Sequence, residues 1–215
     1  MTHIDSPTAP VLPVLNMVRS PSLAEQAATA IVAGVSGGAL KPGQRLVEAE
    51  LASLLNMSRV PLREALKILE AQGIVESIPH RGTRIAMFDE MRVNQICEAR
   101  IALERIALRY AAEKYRSNPE LLERLDQIVD SMERAAENLD WTAVDKFDLE
   151  FHREFCRASG NEIVQTLWEG LARHVFIVFG HERREERDAR VTGPHHRHLR
   201  DLLAKGDMDG LHAEI

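Results

Sequence analysis

The chain has 215 residues, of which 45% are hydrophobic and only 5% aromatic, and its formal net charge is −6. This length exceeds the usual size of one domain, and the hydrophobic content can fill a core in each of two domains. No run of about 18 apolar residues occurs, so no membrane span is predicted. Cys97 and Cys156 lack C-x-x-C spacing, which argues against a disulfide framework or a cysteine-based zinc site. We therefore expect a soluble, cytoplasmic protein.

The N-terminal segment predicts a tail followed by a helix. Residues 1–20 contain three prolines and neither a basic n-region nor a continuous apolar run, so they predict a flexible tail and not a signal peptide. Ser22 and Glu25 form a capping-box pattern that starts a helix, which Gly37 and Gly38 end. The positions expected to face inward are Leu23, Ala27, Ile31 and Val35.

Residues 44–72 predict a short helix, a tight turn and a second helix. Helical spacing in the first helix is shown by Val47, Leu51, Leu54 and Leu55. Only Asn56 and Met57 remain before Ser58, whose hydroxyl suits the N-cap of the second helix. At about 100° per residue, the second helix has one apolar and one basic stripe. These stripes consist of Leu62, Leu66 and Leu69, and of Arg59, Arg63 and Lys67.

A helix pair of this kind can place the start of its second helix in the major groove of DNA. There an arginine can make a bidentate contact with guanine O6 and N7. We therefore predict that Arg59 and Arg63 read bases. The alternative is an ordinary helical hairpin whose arginines form a solvated face.

The sequence after this helix adds a hairpin, and the whole segment resembles a known family. Two β-branched strands are joined at His80-Arg81-Gly82, which predicts a wing. The segment SRVPLREALKILEAQGIVE with this hairpin closely resembles the DNA-binding domain of the GntR family of bacterial transcription regulators. The resemblance implies DNA contacts in the recognition helix by Ser58, Arg59 and Arg63. It also implies that His80 and Gly82 lie at the wing tip, which reaches into the minor groove.

Two features limit the DNA contacts that we expect. Some family members use an arginine two residues before the position of Leu51, and this chain has Ala49 there. Residues 1–89 carry eight basic and eight acidic residues, so residues 90–215 hold the whole charge of −6. The acidic half is therefore not expected to touch DNA, whereas the second helix is locally basic.

The remaining sequence predicts only helices. Amphipathic segments are predicted at 90–116, 119–138, 141–159, 162–180 and 195–205, with a short last helix from Asp207. The stretch HERREERDAR at 181–190 alternates in charge and predicts a solvated face. The predicted fold is mainly α: a tail (1–20), a winged helix-turn-helix of three helices and a small β-hairpin wing (21–87), and an antiparallel helical bundle (88–215).

Asp148 and His152 are separated by four residues and by about 40° around one helix. They can bind one metal ion, or form a hydrogen-bonded pair, or lie apart at the surface. The segment FDLEFHREFCRASGN resembles the FCD ligand-binding domain, which follows the winged helix in the FadR-like branch of the GntR family. The resemblance then covers almost the entire chain. It implies that Asp148, His152 and His196, in HHRHLRDLL, are metal ligands.

Three ligands of nitrogen and oxygen type suit zinc, or nickel or manganese in a more open site. The family's fourth ligand is a histidine of the last helix, at a position beyond Ile215. His212 lies too early on that helix and is expected to face another way. We therefore expect a sequence truncated at the C-terminus or an incomplete site. His195 and His198 are expected to face solvent.

Arg100 opens the segment RIALE, which matches an R-x-x-L-E pattern of the FCD domain. The resemblance implies that this arginine lies beside the metal pocket, where its guanidinium can bind the carboxylate of an organic-acid effector. The alternative is a surface ion pair with Glu104, worth a few tenths of a kcal/mol.

Together these features predict a transcription regulator and not an enzyme. The expected form is a homodimer that reads a near-palindromic operator, acts as a repressor and releases the DNA when a small organic acid binds in the bundle. One alternative is a regulator that senses the metal itself. The other is a metal-dependent enzyme that activates water, for which no general acid or base stands out.

Overall fold

The structure, a computed structural model, describes residues 21–185 and 192–215. The predicted tail at 1–20 lies outside the described residues, as does the end of the charged stretch at 181–190. Within the described part the protein is mainly helical, with one small antiparallel sheet. No helix of that part is both long and apolar enough to cross a membrane.

The first group of elements forms a winged helix. Its elements are α1 (Leu23–Ser36), β1 (Arg45–Leu46), α2 (Glu48–Leu54), α3 (Arg59–Ala71), β2 (Val75–Ile78) and β3 (Gly82–Ile85). The predicted apolar stripe of α3 is buried, and it consists of Leu62, Leu66 and Leu69. In α1 the capping box forms, since the amide of Glu25 donates to Ser22 Oγ at 3.1 Å. Leu23 does not face inward and is 59% exposed, because α1 begins there and its buried run starts only at Ala27.

The wing has one strand more than the predicted hairpin. The sheet order is β1-β3-β2, and Arg45 of β1 pairs with Arg84 of β3. The turn between β2 and β3 requires left-handed backbone at His80 (φ 63°) and at Gly82 (φ 81°). Glycine adopts this conformation at little cost, whereas histidine does so less readily.

The second group of elements is the helical bundle. It consists of α4 (Glu90–Ser117), α5 (Pro119–Glu137), α6 (Trp141–Ser159), α7 (Glu162–Glu185), α8 (Thr192–Lys205) and α9 (Met208–Glu214). α6 packs against α4, α5 and α7. Asn118 alone separates α4 from α5, and its side chain accepts from the amide of Glu120. The aromatic core next to α6 is formed by Tyr115, Phe151, Phe155 and Trp168.

The winged helix docks onto the bundle through α1 and α7. Ser36 Oγ donates to the carbonyl oxygen of Phe176 at 3.0 Å, and both groups are buried. Arg173 of α7 donates to the side chains of Gln72 and Glu25. At the edge of this contact Arg92 of α4 donates to the carbonyl oxygen of Gly73. Polar contacts from two bundle helices therefore hold the winged helix in place.

The close approach of α1 and α7 depends on Gly180. A Cβ on this residue would overlap Ser36 Oγ and lie 2.5 Å from the Ser36 carbonyl oxygen. We expect Gly180→Ala to lower the free energy of unfolding by about 1–3 kcal/mol, because the added methyl group forces the two helices apart. Denaturant unfolding measures this change.

Gly170 of the same helix provides the matched control. A Cβ there would have no heavy atom within 4 Å. Gly170→Ala is therefore expected to raise the free energy of unfolding by about 0.5–1 kcal/mol, as alanine does in an open helical position. Equal effects of the two substitutions would contradict the close contact between Gly180 and Ser36.

Candidate functional site

The basic stripe of α3 faces solvent. Arg59 and Val60 are exposed in its first turn, and Val60 is 71% exposed. Arg63 is exposed and its Nε lies 2.8 Å from Glu48 Oε2 of α2. Lys67 is exposed and its Nζ lies 3.0 Å from Glu64 Oε1. Exposed pairs of this kind contribute little to stability, so these cations can exchange their partners at low cost.

Ser58 occupies the N-cap position of α3, but its hydroxyl makes no cap hydrogen bond. The prediction that this hydroxyl satisfies an orphan amide of the helix is therefore wrong. The residue is exposed beside the positive end of the helix. Its hydroxyl remains available for a contact outside the winged helix.

The wing tip contains His80 and Gly82, both exposed, and a basic residue that sequence reasoning missed. A Cβ on Gly82 would lie 3.6 Å from Nε of Arg45, so this guanidinium lies beside the tip. Arg45 is exposed on the two-residue strand β1. Only the pairing of β1 with β3 brings it there, and a two-residue strand has no alternation that a sequence pattern can reveal.

The bundle brings together Asp148, His152 and His196, and all three are buried. Nε2 of His196 lies 3.1 Å from Asp148 Oδ1, and Nε2 of His152 lies 3.4 Å from the same oxygen. The two Nε2 atoms are 3.3 Å apart. One ligand atom from each residue thus lies within 4.8 Å of the others.

The remote nitrogen of each imidazole faces a hydrogen-bond acceptor. Nδ1 of His152 lies 2.9 Å from Glu104 Oε2, and Nδ1 of His196 lies 2.8 Å from the carbonyl oxygen of Thr192. Histidines that ligate metals usually donate their other N–H in this way. With both protons on Nδ1, two Nε2 lone pairs and a carboxylate oxygen point into one space. This donor set fits a divalent metal ion.

The other histidines near this region lie outside the cluster. His195 is partly exposed, and its Nδ1 lies 3.7 Å from Glu214 Oε2. His198 is exposed. The carbonyl oxygen of His212 accepts from Arg105 at 2.8 Å. Among the described residues the group of potential metal ligands therefore contains three members.

Arg100 lies against the same cluster and makes the ion pair that the alternative interpretation proposed. Its Nε donates to Glu104 Oε1 at 2.9 Å, and its Nη2 lies 3.2 Å from Nε2 of His152. The guanidinium also lies over the ring of Phe179, 5.1 Å from its centroid. The pair is not a surface pair, because the Glu104 side chain is 0% exposed. Sequence reasoning missed Glu104 as part of the site, although it ends the R-x-x-L-E pattern.

Opposite charges dominate the electrostatics of the cluster. Burial by itself raises the pKa of Asp148, but His196 and His152 outweigh it and hold that pKa far below its usual range. Burial likewise raises the pKa of Glu104, whereas His152 and Arg100 lower it, and the net shift is downward. For His152 burial lowers the pKa, but Glu104 outweighs this effect and the net pKa is raised.

Comparison with known proteins identifies the family. Residues 23–85 match the sequence profile described as bacterial regulatory proteins, gntR family, and residues 95–215 match that of the FCD domain. The chain belongs to the GntR family of bacterial transcription regulators. Its second part is the FCD effector-binding domain, as the sequence resemblance implied. The family and the relatives below are transcription regulators, so the enzyme alternative is not favoured.

Two curated relatives illustrate the similarity. The uncharacterized HTH-type transcriptional regulator YcbG of Bacillus subtilis (strain 168) is 34% identical over 206 residues, which cover 90% of this chain and 85% of that protein. A protein of Paenarthrobacter nicotinovorans named "Probable D-xylose utilization operon transcriptional repressor" is 32% identical over 157 residues, covering 73% of this chain and 68% of that one.

Solved structures share the fold. E. coli McbR/YncC superposes with a TM-score of 0.74 at 24% identity, over 90% of this chain and 91% of that chain. A GntR regulator from Rhodococcus sp. RHA1 superposes with a TM-score of 0.69 at 20% identity, over 89% and 90% of the two chains. The arrangement of winged helix and bundle is therefore an architecture that other chains adopt.

The pKa shifts predict how the cluster's contribution to stability depends on pH. The lowered pKa values of Asp148 and Glu104 mean that their contribution is present above the ordinary carboxyl pKa of about 4 and is lost as the pH falls through the lowered values. The raised pKa of His152 means that its contribution is present below about pH 6.5 and is lost as the pH rises through the raised value.

We therefore expect metal-free protein to lose stability relative to its His152→Gln variant, which lacks the titrating imidazole, as the pH rises above about 6.5 and through the raised pKa of His152. Denaturant unfolding of both proteins over this range measures the difference. A difference that is constant with pH would contradict the proposed pairing of His152 with Glu104.

Proposed function

We propose that this regulator is a homodimeric repressor that releases its operator when a small organic acid binds in the bundle. The observation that carries the proposal is the combination of two features in one chain. One is an exposed basic helix beside a wing. The other is a buried cluster of metal-binding side chains with a guanidinium against it.

DNA binding is assigned to α3 and the wing, in a domain that we place at residues 21–87. Arg59 and Arg63 lie on the exposed face of α3 and are suited to guanine edges in the major groove. Lys67 lies one turn further and is suited to a phosphate. Further contacts are assigned to Ser58 at the start of α3, and to His80, Gly82 and Arg45 at the wing. Val60 can pack on a thymine methyl group.

Substitution of Arg63 tests this assignment. Arg63→Ala is expected to weaken binding to the preferred operator by about 1–3 kcal/mol and to relax the preference at one base position, because a bidentate contact is lost. Lys67→Ala is expected to weaken binding to all sequences. It should also reduce the magnitude of the slope of the logarithm of the binding constant against the logarithm of the salt concentration by about 1. Selection from a random duplex library, followed by affinity measurements at several salt concentrations, gives both quantities.

Arg116→Ala is the matched control for Arg63→Ala. Arg116 is 61% exposed and pairs with Glu113, whereas Arg63 is 60% exposed and pairs with Glu48. Arg116 lies at the end of α4 and is not assigned to the DNA surface. The same loss of affinity in both variants would contradict a specific role of Arg63.

For the bundle, which we place at residues 88–215, we infer a bound divalent metal and a carboxylate ligand. Asp148, His152 and His196 would hold zinc, or nickel or manganese in a more open geometry. The metal would supply a positive charge that attracts a carboxylate, and Arg100 would bind the same carboxylate through its terminal nitrogens. Because neutral imidazoles are needed, metal occupancy should fall as the pH drops.

Dimerisation and repression are inferred from two further observations. Ile163 and Leu167 lie one turn apart on α7 and are 71% and 54% exposed, so this face offers apolar surface for a second copy. A dimer would read a two-fold symmetric operator. Repression is proposed because a relative is named as a repressor. The regulator would act in the cytoplasm, where bacterial DNA lies.

Metal and acid titrations test the effector proposal. His196→Ala is expected to weaken zinc binding by more than about 100-fold, since it removes a ligand directly. Acetate, succinate and citrate are then titrated against the protein–operator complex with and without zinc. Release of DNA by an acid only when zinc is present supports the proposal. Release or binding driven by zinc alone would instead favour the metal-sensing regulator.

Arg100→Lys separates the role of the guanidinium from that of the metal. It keeps the positive charge beside Glu104 but loses the bidentate geometry, so acid-dependent release should weaken by a larger factor than zinc affinity does. Arg105→Lys on the same helix is the control, because Arg105 contacts the His212 carbonyl and not the cluster. Equal acid responses in the two variants would contradict the role of Arg100.

A further inference from the structure

Glu104 is a buried carboxylate that has a separate partner for each of its oxygens. Its side chain is 0% exposed. Oε1 accepts from Nε of Arg100 at 2.9 Å, and Oε2 lies 2.9 Å from Nδ1 of His152. Burial of a charge is costly unless the charge is paired and hydrogen-bonded. The position of this carboxylate is therefore fixed by both partners together.

The donors and acceptors around His152 define one neutral tautomer. An ionised carboxylate can only accept, so the nitrogen that faces Glu104 must carry a proton. A guanidinium can only donate. Nη2 of Arg100 lies 3.2 Å from Nε2 of His152, so this contact requires a lone pair on Nε2. Asp148 Oδ1 also lies 3.4 Å from Nε2, but the contacts with Glu104 and Arg100 are shorter. These two shorter contacts agree: the proton is on Nδ1, and Nε2 presents its lone pair to the cluster.

We propose that Glu104 is the positioning residue of the metal site, which fixes the tautomer and the ring orientation of His152. This inference rests on the proposed function of the Asp148, His152 and His196 cluster as a metal site. Glu104 itself does not face the cluster. It acts through His152, and its second oxygen is held by Arg100.

Replacement of Glu104 by glutamine tests the proposal because the amide has the same shape but one acceptor instead of two. If the amide oxygen keeps the bond from Arg100, the NH2 group faces Nδ1 of His152. A donor at that place favours a lone pair on Nδ1 and a proton on Nε2. The proton then occupies the nitrogen that the metal needs.

Glu104→Gln is therefore expected to weaken zinc binding by about 10–100-fold, the usual effect of removing an outer hydrogen bond to a metal ligand. Competition with a chromogenic zinc chelator measures the affinity. The second readout needs no metal. Nitrogen-15 NMR of the imidazoles, at a pH at which His152 is neutral, should show a proton on Nδ1 in the wild type. It should show a shift towards Nε2–H in Glu104→Gln.

Glu154→Gln is the matched control. Glu154 is 4% exposed and is also held by arginines, since its Oε2 lies 2.8 Å from Nε of Arg124 and 3.4 Å from Nη1 of Arg157. In the part of the chain that the structure describes, its ion-pair partners are arginines and not histidines. This variant should keep the zinc affinity and the His152 tautomer of the wild type even if its stability falls.

A second substitution covers the case in which Glu104→Gln does not fold. Glu104→Asp keeps the charge but shortens the side chain by one methylene, so it cannot reach both Arg100 and His152. It should weaken zinc binding and increase the Nε2–H fraction of His152 in the same direction.

The two readouts distinguish failure of this inference from failure of the metal site. Unchanged zinc affinity and an unchanged tautomer in a folded Glu104 variant would overturn the positioning role, and the metal site would stand. If the wild type bound no zinc but the tautomer shifted in Glu104→Gln, the result would support the control of the His152 tautomer by Glu104. It would contradict the proposed metal site.

Discussion

Two buried carboxylates, Glu104 and Asp148, lie at the candidate site, and the arrangement around this site depends on how they are neutralised. Glu104 and Asp148 lie on different helices, and the side chains that contact them are Arg100, His152 and His196. Removal of one partner from a buried ion pair usually costs about 3–5 kcal/mol, because it leaves a charge without compensation. The protonation and ligand state of one member therefore cannot change without effect on the others. A site with this coupling is suited to respond to an added cation or anion.

The helix α7 connects this cluster physically with the winged helix. On the bundle side, the ring of Phe179 lies beneath Arg100, and the ring of Trp168 lies 6.4 Å from that of His152. On the other side, the Phe176 carbonyl accepts from Ser36 of α1, and Arg173 holds Gln72 and Glu25. A ligand that moves Arg100 would thus displace Phe179 of α7, the helix that also contacts the winged helix. It can change DNA binding only if it binds one arrangement better than the other.

Local sequence patterns correctly predicted which side chains share a face of one helix. They did not predict contacts between segments that are far apart in the chain. The i, i+4 spacing places Asp148 and His152 on one face of α6, and the apolar stripe of α3 is buried as its period predicted. In contrast, the bond between Glu104 and His152 joins residues 48 positions apart on two helices. The contact between Ser36 and Phe176 spans 140 positions.

The remaining differences between the predicted and the observed structure arise from strand pairing and from helix ends, which a periodic pattern does not describe. The strand β1 has two residues, so its inclusion in the wing and the place of Arg45 follow only from pairing with β3. Leu23 has the correct spacing for the buried face of α1 but occupies the exposed first position of the helix. The hydroxyl of Ser58 has the correct position for a cap, yet it makes no such bond. The position of a residue in a helical pattern predicts the face on which its side chain lies, but it does not predict which group that side chain contacts.

The distribution of charge limits how this family member can obtain its DNA specificity. Residues 1–89 are neutral overall, and the bundle side holds the net charge of −6. Arg63 and Lys67 are each paired with an exposed glutamate of the winged helix. Non-specific affinity comes mainly from phosphates neutralised by basic residues, and it is strongly salt-dependent. An N-terminal segment with no net charge gains little of this affinity, so contacts with base edges must supply a larger share of the discrimination. In the proposed mechanism the same balance would make release easier, because little electrostatic attraction would have to be overcome when an effector binds.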